Sequence, residues 1–304
     1  MKKFIKNNIA VLIAFLILFI FSTILCIRNI KSARINEESR IEGIEVCKDI
    51  LKYDKYNEIC LENIDVKPKK RSTLKTYYDI INDNVNYNST SLCTVFYFLI
   101  PFLVITSSLY NISKKFKNQD IKNHLTRESY NKYIKEIFLD SYKSVFIWPM
   151  ITILLFIFSY IISNGSFEIV DTNSSFSYEI LSKPVVFMLS NLLNTIFMSF
   201  FWTNIALFIV PDTRNYIVSI IEGIMIFFGI TFTNTFFVIG FIGNILKMKD
   251  LEYKLDFLDV YTYNNRNLLS FNILCLSIAL ISGLIVFIKY RNKEKIIMKL
   301  ERNS

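Results

Sequence analysis

Six long apolar runs dominate the chain, and polar segments of very different lengths separate them. The runs cover about residues 8–27, 91–112, 144–163, 184–210, 216–246 and 268–288. A helix needs roughly 20 apolar residues to cross a bilayer, and each run is long enough to supply them. The pattern therefore predicts an all-α integral membrane protein with six transmembrane helices, in which residues 1–304 form a single transmembrane domain.

The fifth run is longer than one span requires, because it stays almost uncharged from Tyr216 to Leu246. We expect a helix to about Thr235, followed by a polar re-entrant or interfacial piece. Irregular backbone at membrane depth needs protein or water around it. The polar and glycine residues on which this expectation depends are Thr231, Thr233, Asn234, Gly240, Gly243 and Asn244.

The charges are distributed unevenly between the two predicted faces of the membrane. If the N-terminus is cytoplasmic, the inner segments 1–8, 113–143, 211–215 and 289–304 hold 18 basic and 7 acidic residues. The outer segments 28–90, 165–183 and 244–267 hold 17 basic and 18 acidic residues. Cytoplasmic loops carry the excess of Lys and Arg, so both chain ends are predicted inside. The net charge of +9 then reflects membrane orientation, and we expect no nucleic-acid partner.

The outer segment 28–90 contains apolar residues near helical spacing, including Ile35, Ile41 and Ile50. This spacing predicts a helical extracytoplasmic insertion after the first span, which itself could continue outward. The same segment holds Cys47 and Cys60. They are either a disulfide pair, if the segment is extracytoplasmic, or two separate thiols.

The inner segment 113–143 is a short, strongly basic loop between the second and third runs, with eight Lys or Arg and four acidic residues. Residues 118–125 could form a short helix along the membrane surface. The repeat of Tyr130, Ile134 and Ile137 then predicts a helix that continues into the third run, with Pro149 bending it. An ordinary solvated connector is the alternative interpretation.

Candidate chemistry is sparse. No glycine is followed by lysine, so there is no phosphate-binding P-loop, and His124 is the one histidine. We therefore expect no catalytic residue, no metal site and no enzymatic activity. Glu222 is the one ionisable residue inside an apolar run, with no basic residue in a neighbouring run. A buried carboxylate is costly, which makes Glu222 a candidate for a transport path or dimer seam, together with Asn194 and Asn204.

Polar atoms on the fourth run have two interpretations. Its polar side chains can hydrogen-bond between helices, or they can line a substrate path. The residues concerned are Asn191, Asn194, Thr195, Ser199, Thr203 and Asn204.

Six spans with both ends inside, an elaborated first outer loop and a basic loop before the third span together resemble the permease subunit of an ABC-2-type exporter, a bacterial ABC transporter family. The run TRESYNKYIKE at 126–136 is similar to the segment that leads into the third span of such subunits. The polar piece after the fifth span is also similar to their pattern.

The resemblance implies that loop 113–143 carries a coupling helix that docks on a separate ABC ATPase subunit. The contact residues would be Asp120, Ile121, His124, Arg127 and Glu128. It also implies a dimer with a second permease copy or a paralogue, with ATP on the partner subunits and no cofactor in this chain. The location would be the lipid bilayer of a bacterial plasma membrane. The alternative is a non-transporting immunity or sensor subunit that uses segment 28–90 for binding.

The charge distribution yields a test of topology. On a cysteine-free background, single cysteines at Ser174 and Asn265 should react with a membrane-impermeant maleimide in intact cells. Cysteines at Asn118 and Asn303 should react only after the membrane is permeabilised, because these positions lie in the basic segments. Labelling of the Asn118 variant in intact cells would contradict the orientation.

Overall fold

The structure is a computed structural model of the chain. It describes residues 2–53, 60, 72–82, 90–116, 129–167, 183–213, 215–258 and 268–303. These residues are almost entirely helical, and no strand occurs among them. The all-α fold class predicted from the apolar runs is therefore confirmed for the described part of the chain.

The helices follow one another with few breaks. The α-helices are α1 (Lys2–Tyr53), α2 (Thr73–Asn82), α3 (Thr90–Phe116), α4 (Tyr130–Ser141), α5 (Ile147–Ile162), α6 (Pro184–Ile209), α7 (Tyr216–Thr233), α8 (Lys249–Leu255), α9 (Leu268–Arg291) and α10 (Lys293–Asn303). One 3₁₀ turn, Tyr142–Phe146, joins α4 to α5, and a second, Val210–Asp212, follows α6. A π-helix, Asn234–Ile245, continues α7.

Five helical stretches in the described part of the chain are long and apolar enough to cross a membrane. They are Asn8–Tyr53, Tyr130–Ile162, Pro184–Asp212, Tyr216–Ile245 and Leu268–Arg291. The apolar stretch of α3, Phe98–Ser113, is shorter. These lengths support a multi-pass membrane protein, whereas the count of six spans stays a prediction.

The bundle is organised around α6, which makes its most extensive contacts with α9 and also packs on α3 and α5. Trp202 of α6 is fully buried, and its ring lies 5.4 Å from the ring of Phe227 on α7. The outer helices bury one face only. On α7 and the π-helix that continues it, for example, apolar side chains exposed at helical spacing form the stripe Ile217, Ile221, Met225, Phe228, Phe232 and Phe236. Such a stripe suits contact with lipid.

Helix α1 continues well past the length of a membrane span. Its stretch Asn8–Tyr53 has 46 residues, or about 69 Å of helix, against a hydrocarbon core of about 30 Å. The backbone leaves helical geometry only at Asn8, where the helix is kinked. The first apolar run and the first part of segment 28–90 therefore form one helix.

Helix α2 closes one end of the bundle. Its Thr73 backbone N–H donates to the Ser166 carbonyl at 2.7 Å, and the Thr73 hydroxyl lies 2.6 Å from the Ser163 hydroxyl. Leu74, Tyr77 and the rest of its apolar face are buried against α1 and α5. Segment 28–90 thus contributes a short helix to the core of the bundle.

The α-helix of the fifth run ends at Thr233, close to the end predicted near Thr235. The chain then continues as a π-helix to Ile245 and turns at Lys247, where φ is 55°. The hydroxyls of Thr231 and Thr233 donate to carbonyls of the preceding turn, at 2.9 and 2.8 Å. These two threonines are therefore satisfied by the helix itself.

After this turn, α8 folds back along the π-helix. The Asn234 amide donates to the Asp256 carboxylate at 2.7 Å, and Glu252 packs against Gly243, where a Cβ atom would collide with it. The structure therefore has a helical hairpin where a re-entrant piece was predicted. Its position relative to the membrane stays a prediction.

Cys47 and Cys60 are both buried thiols, and no disulfide joins them in the structure. Of the two alternatives left open by the sequence, the structure has the separate thiols.

The packing of α7 on α3 depends on Gly223, and this dependence can be tested. A Cβ atom at Gly223 would lie 3.0 Å from Cγ2 of Ile105, whereas one at Gly229 meets nothing within 4 Å. Gly223→Leu should therefore cost about 1–3 kcal/mol through overpacking. Its melting temperature in detergent should fall, while that of the control Gly229→Leu on the same helix should not. Equal melting temperatures for the two variants would show that α7 does not pack on α3 as described.

Candidate functional site

The polar residues of the fourth run lie on the buried side of α6. We call them the polar seam: Asn191, Asn194, Thr195, Ser199, Thr203 and Asn204. All six are at most 3% exposed. Consecutive members are one, three or four residues apart, which puts them along one side of the helix. From Asn191 to Asn204 the seam is about 20 Å long, which is two thirds of a bilayer core.

One end of the polar seam is closed by α2. The Asn191 side-chain N–H donates to the Tyr77 hydroxyl at 2.6 Å. The Tyr77 ring lies 5.8 Å from the ring of Phe156 and 6.2 Å from that of Phe187. Phe187 and Asn191 both belong to α6. The neutral hydrogen bond from Asn191 to Tyr77 and the packing of the Tyr77 ring therefore hold α2 against this end of the seam.

The middle of the polar seam has unsatisfied hydrogen-bonding atoms. Both side-chain polar atoms of Asn194 are buried without a partner among the described residues, as are Ser199 Oγ and Trp202 Nε1. Each such group costs roughly 1–3 kcal/mol when it stays unpaired. Asn191 Oδ1 is in the same condition. Polar partners such as water or a polar ligand would therefore stabilise this part of the seam.

The other end of the polar seam is closed by a network around Asn204. The Tyr142 hydroxyl donates to Asn204 Oδ1 at 3.0 Å, and Asn204 Nδ2 donates to Ser282 Oγ at 2.9 Å. Tyr142 belongs to the 3₁₀ turn before α5, and Ser282 belongs to α9. Asn204 therefore joins three elements of the bundle. Asn194 and Asn204, for which one shared role was predicted, differ in their hydrogen bonding. Asn204 has partners, whereas Asn194 has none among the described residues, and the shared role stays a prediction.

Beyond Asn204, an ionic cluster holds the ends of three helices together. The Asp212 carboxylate lies 2.6 Å from Lys289 Nζ and also accepts from Lys299. Lys289 donates to the Phe208 carbonyl as well and lies 3.7 Å from the centre of the Phe208 ring. The Asp212 cluster thus ties the end of α6 to α9 and α10.

Glu222 is half-buried on α7, and the Lys289 ammonium is close enough to interact with it electrostatically. The charge count treated Lys289 as an ordinary inner-loop residue, although its side chain is only 13% exposed. The position of Lys289 directly after the sixth run was the feature of the sequence that could have indicated its burial. Asn204, which the sequence analysis grouped with Glu222 in one candidate path or dimer seam, is hydrogen-bonded to Tyr142 and Ser282.

The basic loop 113–143 is described at 113–116, where α3 ends, and from Ser129 onward. The predicted contact residues Asp120, Ile121, His124, Arg127 and Glu128 lie outside the described residues. The following part is a helical unit of 33 residues, Tyr130–Ile162, in which α4 and the 3₁₀ turn lead directly into α5. Pro149 lies in the first turn of α5, where it is tolerated, and the 3₁₀ turn lies before it.

Two tyrosines connect this helical unit to the rest of the bundle. The Tyr130 hydroxyl donates to the Tyr290 carbonyl at 2.8 Å, and the Tyr290 hydroxyl donates to the Leu207 carbonyl at 2.8 Å. Phe138 adds an edge contact to the Tyr290 ring, with centroids 5.1 Å apart. The chain of contacts runs from α4 through α9 to α6, and no one of these residues was identified from the sequence as a link.

Comparisons with models of protein families, with curated proteins and with solved structures find no match for this chain. In the described ranges, no group of three or more His, Cys, Asp or Glu residues could hold a metal ion. Function therefore has to be argued from the seam, the helical unit and the contacts between them.

The polar seam predicts opposite effects for two substitutions on one helix. Asn194→Leu removes two unsatisfied buried atoms, so the melting temperature in detergent should stay the same or rise. Asn204→Leu leaves the Tyr142 and Ser282 hydroxyls without their partner, which should destabilise the protein by about 1–3 kcal/mol. Thermal unfolding of both purified variants measures the difference. A larger loss for Asn194→Leu than for Asn204→Leu would contradict this description of the seam.

Proposed function

We propose that this chain is the membrane-spanning permease subunit of an ATP-driven exporter of the ABC-2 type. It works in a bacterial plasma membrane with a separate ABC ATPase and with a second permease copy or a paralogue. ATP is bound and hydrolysed on the ATPase, and this chain carries the path. Closure of the two ATPases draws the basic loops of two permease subunits together.

The observation that carries this proposal is the helical unit Tyr130–Ile162, which begins in the basic loop and runs through the bundle to the end that α2 closes. A helix transmits displacement along its length, because each turn is hydrogen-bonded to the next. Ile137 of this unit is fully buried, and Ser144 accepts a hydrogen bond from Ser107 of α3 at 2.9 Å. Force applied at the loop therefore reaches both α3 and the Asn204 network.

The polar seam supports a path through the same bundle. Unpaired amide and hydroxyl groups in a membrane interior need water or a polar group of the transported molecule as partners. Hydrogen bonding between helices, the other interpretation of these residues, applies to Asn191 and Asn204. It does not account for Asn194, whose polar atoms have no partner in the described part of the chain.

We further propose that α3 also crosses the membrane, which brings the number of spans to six, and that both chain ends are cytoplasmic. With 27 residues, α3 is about 40 Å long, which exceeds a hydrocarbon core of about 30 Å. If α3 did not cross, only α1 would separate the basic segment 1–8 from the basic loop 113–143, and the two would lie on opposite faces. With α3 as a span, segments 1–8, 113–143 and 289–304 all lie on the cytoplasmic side, as the charge distribution requires.

The alternative is a non-transporting membrane protein that binds a ligand or protein with segment 28–90. One observation favours it. The part of α1 beyond a membrane length exposes apolar side chains at Ile35, Ile41, Val46 and Ile50. Exposed apolar residues on a projecting helix suit a protein contact. The ATPase experiment below separates the two functions, since this alternative requires no ATPase.

The proposal predicts an ABC ATPase gene beside the gene for this chain, and the test is co-purification of this chain with the product of that gene. Replacing Asp120, Ile121 and Arg127 together with Ala should reduce the retained ATPase by about tenfold or more, because a few contact residues dominate most interfaces. The yield and melting temperature of the permease itself should stay normal. ATPase retained at the wild-type level would refute docking through this loop.

The matched control replaces Lys293, Glu294 and Lys295 with Ala. These three residues are exposed on α10, at the same predicted face of the membrane. The control should retain the ATPase, because its residues lie outside the basic loop. If wild-type protein retains no ATPase at all, the non-transporting function is favoured.

A further inference from the structure

A groove with a volume of about 490 Å³ lies between α4 and the end of α9. One wall is a stripe of α4 that includes Lys135, Phe138 and Leu139, and the other includes Phe287 and Arg291 of α9. Both helices belong to stretches of membrane-spanning length, and the groove lies where α9 ends and Tyr130–Ile162 begins. The groove is therefore located at a boundary between membrane and water.

The groove has a basic end and an apolar end. Lys135 and Arg291 lie toward the helix termini, and both are exposed. About one turn further into the bundle are Leu139, which is 59% exposed, and Phe287, which is 61% exposed. The polarity changes along the groove in the same order as in a phospholipid, from the phosphate to the acyl chain.

The two cations of the groove are available to a ligand. Neither Lys135 nor Arg291 forms an ion pair with any residue of the described ranges. The groove lining contains no carboxylate, so the local charge is positive. Glu294 lines a shallower depression beside Arg291 but does not pair with it. Basic pockets between transmembrane helices are typical sites for acidic lipid headgroups.

We propose that this groove binds one anionic phospholipid. Its phosphate contacts Lys135 and Arg291, and an acyl chain lies against Phe138, Leu139 and Phe287. The chain of such a lipid is longer than the groove, and it continues along exposed apolar side chains of α9 such as Leu284. This site is independent of the proposed transport function, because it requires only a membrane and these two helices.

Phosphatidylglycerol is the probe, titrated onto the detergent-purified full-length protein and followed by native mass spectrometry. Each basic residue near a membrane surface is worth about fivefold in lipid affinity. Lys135→Gln with Arg291→Gln should therefore bind phosphatidylglycerol about twentyfold more weakly. Leu139→Trp, which fills the apolar end without changing charge, should weaken binding as well. Phosphatidylcholine should bind the wild type more weakly than phosphatidylglycerol does.

The control is Lys132→Gln with Lys295→Gln, an equal change of charge at the same end of the bundle but outside the groove lining. It should bind phosphatidylglycerol like the wild type. An equal loss of affinity in this control would show that net charge alone attracts the lipid, which overturns the site. Unchanged binding in both groove variants would also overturn it. Displacement of the lipid by excess glycerol phosphate would assign the groove to free phosphate compounds instead.

Discussion

Polar groups inside a membrane need partners from the protein or from water, and the hydrogen bonds that buried polar side chains of α6 form with other elements organise the bundle around this helix. The partners of its buried polar side chains come from different elements. Tyr77 belongs to α2, Tyr142 to the 3₁₀ turn before α5, and Ser282 to α9. Because an unsatisfied group in hydrocarbon costs several kcal/mol, each of these bonds favours one arrangement of its helix against α6.

The apolar pattern was sufficient to predict that the main elements are helices and where several of them begin. The helices α6, α7 and α9 begin at Pro184, Tyr216 and Leu268, where the runs begin. Local chemistry explains the first two starts. Proline fits the first turn of a helix, and the Asn215 side chain caps α7 by accepting from the Val218 backbone N–H at 2.8 Å.

Helix ends were harder to predict, because threonine and asparagine are ambiguous in an apolar context. Thr231 and Thr233 were among the residues that suggested an irregular piece after about Thr235, but their hydroxyls bond to the helix that contains them, and the chain stays helical to Ile245. The polar half of α1 contains no proline before Tyr53 and only one glycine, Gly43. Because no residue there breaks the helix, α1 continues to Tyr53. Such outcomes depend on which side chains meet the backbone and which meet a neighbouring helix.

The candidate site was predictable as a set of residues and unpredictable as a set of contacts. The six polar residues of α6 were identified from their positions in an apolar run. Their division into paired and unpaired groups depends on helices that are distant in sequence. The bond from Tyr142 to Asn204, for example, joins residues 62 positions apart. For the same reason Lys289, whose carboxylate partner is 77 positions away, was counted as a loop charge.

The two ends of the polar seam differ in a way that bears on how a bundle of this kind could move. The α2 end is held by neutral hydrogen bonds, from Asn191 to Tyr77 and between Thr73 and the residues Ser163 and Ser166, and by aromatic packing. The other end has the Asn204 network, the two tyrosine links and the Asp212 cluster. A neutral hydrogen bond contributes about 1 kcal/mol net, so the four neutral bonds at this end add up to about 4 kcal/mol.

That sum is close to the energy that a conformational switch requires. Shifting a two-state equilibrium from 1:99 to 99:1 takes about 5.5 kcal/mol, which a partially buried ion cluster and four hydrogen bonds can supply together. The bonds from Tyr130 and Tyr142 both originate in the helical unit that begins in the basic loop. In the proposed exporter, a partner that displaces this unit would break the bonds that close the polar seam. The same contacts would then couple movement of the loop to opening of the seam.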